Sequence, residues 1–208
     1  MNKFGADRQL SRSLSWVLRH GAVKEGLVIS DEGYISVISI LHHKYFQKYK
    51  LVDIERVVNN NEKQRFTLRL NPSTKLVEIK ANQGHSLDIV SNAGLTPILE
   101  PKYSIVVHGT YLLNWESIKA HGLSRMKRKH IHFAKGTLGD PSVKSGMRKD
   151  VQVLIYIDLE KALKDLKFYE SENGVILTEG DIQGFLNPKY FLKVVKVTNG
   201  LIGAQLLP

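Results

Sequence analysis

The stretch "SRMKRKHIHF", residues 124–133, packs four Lys/Arg into six residues and then runs through His130 and His132 into apolar sequence. Four chemistries fit such a run: a solvated charged face, a metal pair, a nuclear address or a clamp on phosphate. His130 and His132 stand two apart on an expected strand and so share one face, as metal ligands can. A metal needs three or four donors, however. The chain has no cysteine, no acidic residue lies within ten residues upstream, and Asp140 is the first downstream. No metal site is therefore expected. As a nuclear address "RMKRK" is poorly placed, embedded ahead of a strand. Lys127 and Lys129 suit a solvated face, and spacing alone does not separate Arg128 from them.

Other stretches carry similar side chains. "LRHG" sets Arg19 beside His20 at the expected end of a helix, where cations also complement the macrodipole. In "NEKQRFTL", strand alternation puts Arg65 on the side away from Phe66 and Leu68, toward solvent. A lone exposed arginine is usually plain surface, but Lys63, Arg65 and Arg69 gather charge on one hairpin and favour phosphate contact. "KANQGHS" brings Gln83, Gly84, His85 and Ser86 directly after a strand, where glycine lets backbone amides approach a ligand closely. An ordinary turn capped by Ser86 fits equally well. "VVHGT" ends an apolar strand on His108, Gly109 and Thr110, which could offer an imidazole, a backbone and a hydroxyl to a ribose or amide.

These side chains sit on a strongly basic chain. The net charge is +10 with a pI near 9.7, which favours a polyanionic partner and nucleic acid first. Apolar content of 42% over 208 residues suffices for one large domain or two small lobes. No apolar run reaches bilayer length, and "MNKFGADRQL" lacks a signal peptide's hydrophobic region. Absence of cysteine fits a reducing compartment, so an intracellular protein of cytosol or nucleus is expected.

The elements that must position these residues follow from periodicity. Asp7 is expected to cap a first helix with Leu10, Leu14, Val17 and Leu18 on one face, ending with Gly21 in the C′ position. A turn and short strand follow in "SDEGYISV", then a helix through Ile38 and Leu41, and another with Ile54, Val57 and Val58 inward. Phe66, Leu68 and Leu70 pair across the "NPST" turn with Val77, Ile79 and Ala81 as a hairpin. Helices followed by a basic hairpin suggest a winged-helix-like lobe over residues 1–94. "SNAGLTPILEPK", residues 91–102, reads as the linker. Beyond it, residues 95–208 read as strand "YSIVVHGT", helix "NWESIKAHG", then strands "HIHF", "VQVLIYID", "GVILT" and "YFLKVVKV". The fold class is α+β, with a strand-dominated second lobe.

Taken together, in order and spacing, these stretches resemble the NAD⁺-dependent RNA 2′-phosphotransferases, the tRNA 2′-phosphotransferase family. The match runs through "LSRSLSWVLRHGA", "SDEGYISV", "EKQRFTL", "IKANQGHSL", "VVHGTY", "SRMKRKHIHFA", "SGMR" and "FYESENGVILT" to "NPKYF", from about Leu10 to Val195. Lys80 stands where many members carry arginine, and "LNPKYF" where others have a Pro-Pro pair. The resemblance implies an RNA-binding winged-helix-like lobe followed by an ADP-ribosyltransferase-like lobe that binds NAD⁺. It places the family's essential Arg-His-Arg-Arg set on Arg19, His20, Arg65 and Arg128. His108, Gly109, Thr110, Gly122, Leu123, His132, Arg148 and Ser171 become the NAD⁺ pocket, while Lys63, Gln83, Gly84, His85 and Ser86 become contacts to the RNA substrate.

The implied reaction consumes NAD⁺ and uses no metal. An internal RNA 2′-phosphate displaces nicotinamide at C1″, and the ribose 2″-hydroxyl then attacks phosphorus, giving 2′-hydroxyl RNA and ADP-ribose 1″,2″-cyclic phosphate. A phosphate dianion is already a nucleophile, so the first step needs orientation more than a base. The second builds charge on phosphoryl oxygens, which guanidinium forks bind two at a time. On this assignment Arg19 and Arg65 hold the phosphate, Arg128 reaches it from the other lobe, and His20 orients it or shuttles a proton. The expected partner is RNA, with tRNA the family's substrate, and a monomer suffices. Two other readings stay open: an ADP-ribosyltransferase of terminal nucleic-acid phosphates that stops after the first step, and a non-catalytic RNA-binding module. The filled Arg-His-Arg-Arg positions speak against the module.

Overall fold

An apolar stripe at residues 10, 14, 17 and 18 anchors the first helix, and all four side chains are fully buried. Burying each such side chain stabilises the fold by about 1.5–3 kcal/mol. The computed structural model describes residues 3–207 except 138, 141, 142, 144, 149 and 199. The chain divides into two units, Met1–Gly94 and Leu95–Pro208.

In the first unit, α1 (Lys3–Trp16) runs into one π-helical turn, Val17–Gly21. Two expectations fail here. Asp7 does not cap α1, which begins four residues earlier; its carboxylate instead accepts from Arg56 Nε at 3.0 Å and Nη2 at 2.6 Å. Arg56 lies on α3 (Leu51–Asn59), and this charge-assisted pair ties α3 to α1. Nor is Gly21 a left-handed terminator. It lies inside the wide turn closed by Ala22 N–H on the Val17 carbonyl at 2.9 Å. Glycine is required there for space, because a Cβ would sit 2.6 Å from the Trp16 ring.

Strand β1 (Tyr34–Ser36) and α2 (Val37–His42) follow as expected, and β2 (Phe66–Leu70) pairs with β3 (Val77–Ala81) as the expected hairpin, with Phe66 opposite Ala81 and Leu68 opposite Ile79. The three strands form an antiparallel sheet in the order β1-β3-β2. Its inner face joins α1–α3 in one core around Leu14, Ile40, Phe46, Ile54 and Ile79.

Leu95–Pro208 holds most of the strands. β4 (Thr96–Ile98), β9 (Phe168–Glu170), β10 (Ile176–Thr178) and β7 (Ile131–Phe133) form one four-stranded sheet in that order. A second takes β13 (Leu201–Leu207), β12 (Phe191–Thr198), β8 (Val153–Ile157) and β5 (Val107–Thr110). Reciprocal bonds between Val107 and Ala134, at 2.9 and 2.8 Å, join the two sheets. Helix α4 (Leu112–His121) buries Trp115, α5 (Leu159–Leu163) buries Leu159 and Ala162, and β6 (Leu123–Ser124) pairs with β11 (Phe185–Leu186). The expected linker is therefore shorter than 91–102. Residues 96–98 belong to the second unit as an edge strand, the place in a sheet where Pro97 is tolerated. The expected strand at 103–110 likewise narrows to its last four residues.

Candidate functional site

Arg19 and His20 lie in the π-helical turn, a geometry that recurs at functional sites. The loop after β3 fixes both. Arg19 Nη2 donates to Gln83 Oε1 at 3.1 Å, Ser86 N–H donates to the Arg19 carbonyl at 2.9 Å, and Ser86 Oγ lies 2.9 Å from His20 Nδ1. Gly84 adopts φ +90°, and a Cβ there would sit 3.4 Å from Arg19 Nε. Gln83, Gly84 and Ser86 thus brace Arg19 and His20. His85 faces the other way: a Cβ on Gly33 would stand 3.1 Å from its Nε2.

Arg65 precedes β2, so strand alternation does not govern it, and it is half-buried instead of solvent-facing. The Asn61 side-chain oxygen accepts from both Arg65 N–H and Nη1, each at 3.2 Å, drawing the side chain back over the loop. Burial lowers the Arg65 pKa against a weaker opposing pull from Glu62, and no ion pair neutralises it among the described residues. A desolvated, unmatched guanidinium suits an incoming anion. Arg69 behaves in the opposite way. It is bonded to Glu32 at 2.7 Å and Glu78 at 2.5 Å and stacks on Tyr34 at 3.6 Å from the ring centre. These carboxylates saturate its charge, so Arg69 leaves the expected phosphate-binding group.

Arg19, His20, Lys63 and Arg65 line one cleft of about 710 Å³ in the first unit. Arg8, Arg12 and Trp16 of α1 line it too, and sequence reasoning missed all three, although the i, i+4 spacing of the two arginines was visible. Asn61 carried no sequence signal of its role.

In the second unit, His108 Nδ1 lies 2.8 Å from the His132 carbonyl. A carbonyl only accepts, so Nδ1 carries the proton and Nε2 of the neutral ring is left as an acceptor. Burial chiefly, with the positive field of Arg128, pushes the His108 pKa down and keeps the ring neutral. Arg128 has its own pKa lowered by desolvation and then by Arg148, although much of the residue is exposed. Its guanidinium makes no hydrogen bond or ion pair among the described residues. Arg148 is steadied by Tyr111, whose hydroxyl it approaches at 2.9 Å while that hydroxyl donates to Asp150 at 3.0 Å. A neutral imidazole acceptor near one cation, itself within the field of a second, can take hydroxyl groups and anionic oxygens.

The remaining expected pocket residues make close contacts and hydrogen bonds that the sequence did not disclose. Gly109 lies where a Cβ would stand 2.6 Å from Val151 Cγ1, and Gly122, at φ +92°, where one would stand 2.3 Å from the Leu186 carbonyl oxygen. Leu123 is a buried core residue. Ser171 is buried with its hydroxyl engaged to Asn173 at 2.8 Å in the β9–β10 turn, and Thr110 Oγ1 accepts from Asn114 at 3.2 Å.

Comparison with known proteins decides the family. The profile described as RNA 2′-phosphotransferase, Tpt1 / KptA family, matches residues 5–180. The chain belongs to that family. A tRNA 2′-phosphotransferase 1 of Danio rerio is 44% identical over 200 residues, covering 94% of this chain and 88% of the relative. The Homo sapiens protein of the same name is 45% identical over 195 residues, covering 92% and 76% respectively. A Saccharomyces cerevisiae tRNA 2′-phosphotransferase is 37% identical over 187 residues, covering 86% and 81%. As a member of the RNA 2′-phosphotransferase family, the chain is an enzyme of the transferase class.

Proposed function

We propose that the chain removes an internal RNA 2′-phosphate, such as the one left at a tRNA splice junction, by transferring it to NAD⁺. The products are 2′-hydroxyl RNA, nicotinamide and ADP-ribose 1″,2″-cyclic phosphate. The observation that carries this reading is the convergence of Arg19, His20 and Arg65 on one cleft in a chain matched by the family over residues 5–180. Helices α1–α3 followed by the β2–β3 hairpin support a winged-helix-like RNA lobe, and the two sheets of the second unit support an ADP-ribosyltransferase-like lobe.

Arg19 and Arg65 grip the phosphate oxygens in this scheme. Arg19 is held on aim by Gln83, and Arg65 exchanges its desolvation for an anion. His20 orients the phosphate or relays a proton, its ring set by Ser86. When bound, NAD⁺ supplies an electrophilic ribose carbon with nicotinamide as leaving group. His108 Nε2 would accept a hydrogen bond from a ribose hydroxyl, and Arg148 would bind pyrophosphate. Arg128, which has no carboxylate partner among the described residues, stabilises the negative charge that develops on the phosphoryl oxygens in the second step.

The test is to incubate the protein with NAD⁺ and a short RNA bearing one internal 2′-phosphate. We expect 2′-hydroxyl RNA, nicotinamide and the cyclic phosphate, with no turnover when NAD⁺ is omitted. Dephosphorylation without NAD⁺ would overturn the co-substrate assignment. An adduct that persists on the RNA would mark a terminal-phosphate ADP-ribosyltransferase, and unchanged RNA a binding module.

A further inference from the structure

The cleft that holds Arg19, His20 and Arg65 continues along α1 into residues the reaction does not use. Arg8 and Arg12 lie four apart on one face of α1 and line the same cleft, with Ser11 and Ser15 between them and Arg19. Both arginines are exposed, and neither makes a hydrogen bond or ion pair among the described residues. The lining carries five Lys/Arg against two carboxylates. One of those two, Asp7, is already paired to Arg56, while the charge of Glu62 acts on Arg65. Among the described residues, no carboxylate is therefore paired with Arg8 or Arg12.

An aromatic side chain interrupts the basic line. Trp16 lies on the cleft between Arg12 and Arg19 and remains 39% exposed, in contrast to Trp115 at 6%. Its place is fixed. Gly21 packs against the ring so closely that a Cβ would overlap it, and Tyr45 meets it edge-on at 6.0 Å. Cations alternating with an exposed, immobilised ring form the arrangement that binds single-stranded nucleic acid, with phosphates on the cations and a base on the ring. From Arg8 to Arg19 the helix advances about 16 Å at ~1.5 Å per residue, more than one nucleotide spans.

Resting on the reading above that the cleft takes an RNA 2′-phosphate, we propose that α1 is a track for the RNA strand flanking the reactive nucleotide. Arg8 and Arg12 contact backbone phosphates and Trp16 stacks on a base. The enzyme accordingly prefers a strand with several flanking nucleotides over a minimal dinucleotide.

Binding is measured with unphosphorylated RNA, so that lack of turnover would count against the proposed reaction and leave this test standing. Fluorescence anisotropy compares a dinucleotide with a 10-nucleotide strand at several salt concentrations. Wild-type protein should bind the longer RNA more tightly. The double variant Arg8→Ala/Arg12→Ala should lose roughly tenfold of that advantage at low salt, and its log Kd–log salt slope should fall by about 1.4, at ~0.7 per phosphate contact. Lys119→Ala, which removes an exposed cation from α4, should change neither. In Trp115→Phe protein, where Trp16 is the one remaining tryptophan, the longer RNA should quench the emission. An unaltered length advantage and slope in the double variant, an equal loss in Lys119→Ala, or unquenched emission would each overturn the track.

Discussion

Replacing Arg65 by Met separates a phosphate-gripping role from a structural one. Burial of the Arg65 guanidinium destabilises its charged form, and no carboxylate at salt-bridge distance compensates among the described residues. In the folded state its side chain contributes the 3.2 Å bond from Nη1 to Asn61, a long contact near the lower end of the ~1.5–3 kcal/mol range for charged donors. Met keeps an unbranched side chain there and removes the desolvated charge, so loss and relief nearly cancel. The backbone bond from Arg65 N–H to Asn61 persists. We therefore expect Arg65→Met to change stability by less than about 1 kcal/mol, a Tm shift within ~4 °C for a chain of this length. Activity should behave differently. If Arg65 grips the reacting phosphate as proposed, losing its guanidinium should lower kcat/KM by roughly 100- to 1,000-fold. Differential scanning fluorimetry and initial rates with 2′-phosphorylated RNA give the two numbers. A Tm fall well beyond 6 °C, or a kcat/KM near that of the parent, would refute the reasoning.

Arg69→Ala should show the reverse pattern. It removes the cation from the buried Glu78 carboxylate, which keeps a 2.9 Å bond from Asn71 Nδ2, and frees Glu32, costing about 2–3 kcal/mol in thermal or urea unfolding while kcat/KM per folded molecule stays unchanged. Gly122→Ala should lower stability by at least about 3 kcal/mol, seen as a Tm loss of ~6–12 °C, because its backbone is left-handed and the added methyl meets the Leu186 carbonyl. His130 is buried with its pKa lowered from 6.5 to about 4. The unfolded chain therefore takes up this proton first. The associated stability is complete above about pH 6.5 and declines toward pH 4, by up to about 3 kcal/mol at ~1.36 kcal/mol per unit. A pH series of Tm values should show that fall, shallower in His130→Gln; identical slopes would remove His130 as the cause.

Apolar periodicity made the first unit's helices and hairpin legible, because each element buries one face and Leu10, Leu14, Ile54 and Ile79 mark it. What periodicity missed was set by contacts distant in sequence. Asp7 carried a cap's residue type, but a partner 49 residues away, Arg56, claims its carboxylate. Gly21 read as a terminator because glycine usually frees φ, whereas here it makes room for Trp16. Strands of two or three residues, such as β6, β9 and β11, are too short to show alternation and exist through their partners. At the site, the Arg-His and Arg positions were legible as motifs. Their environments were not: Arg65 and Arg69 look alike in sequence, yet Asn61 leaves one unsaturated and two carboxylates saturate the other.

The claim on which the rest depends is that the first unit's arginine cleft grips the branched phosphate itself. It is tested most directly by measuring the affinity of one RNA with and without its 2′-phosphate, in the parent protein and in Arg19→Ala. We predict that the 2′-phosphate strengthens binding to the parent and that this advantage shrinks about tenfold or more in the variant. An affinity ratio equal in the two proteins would contradict it.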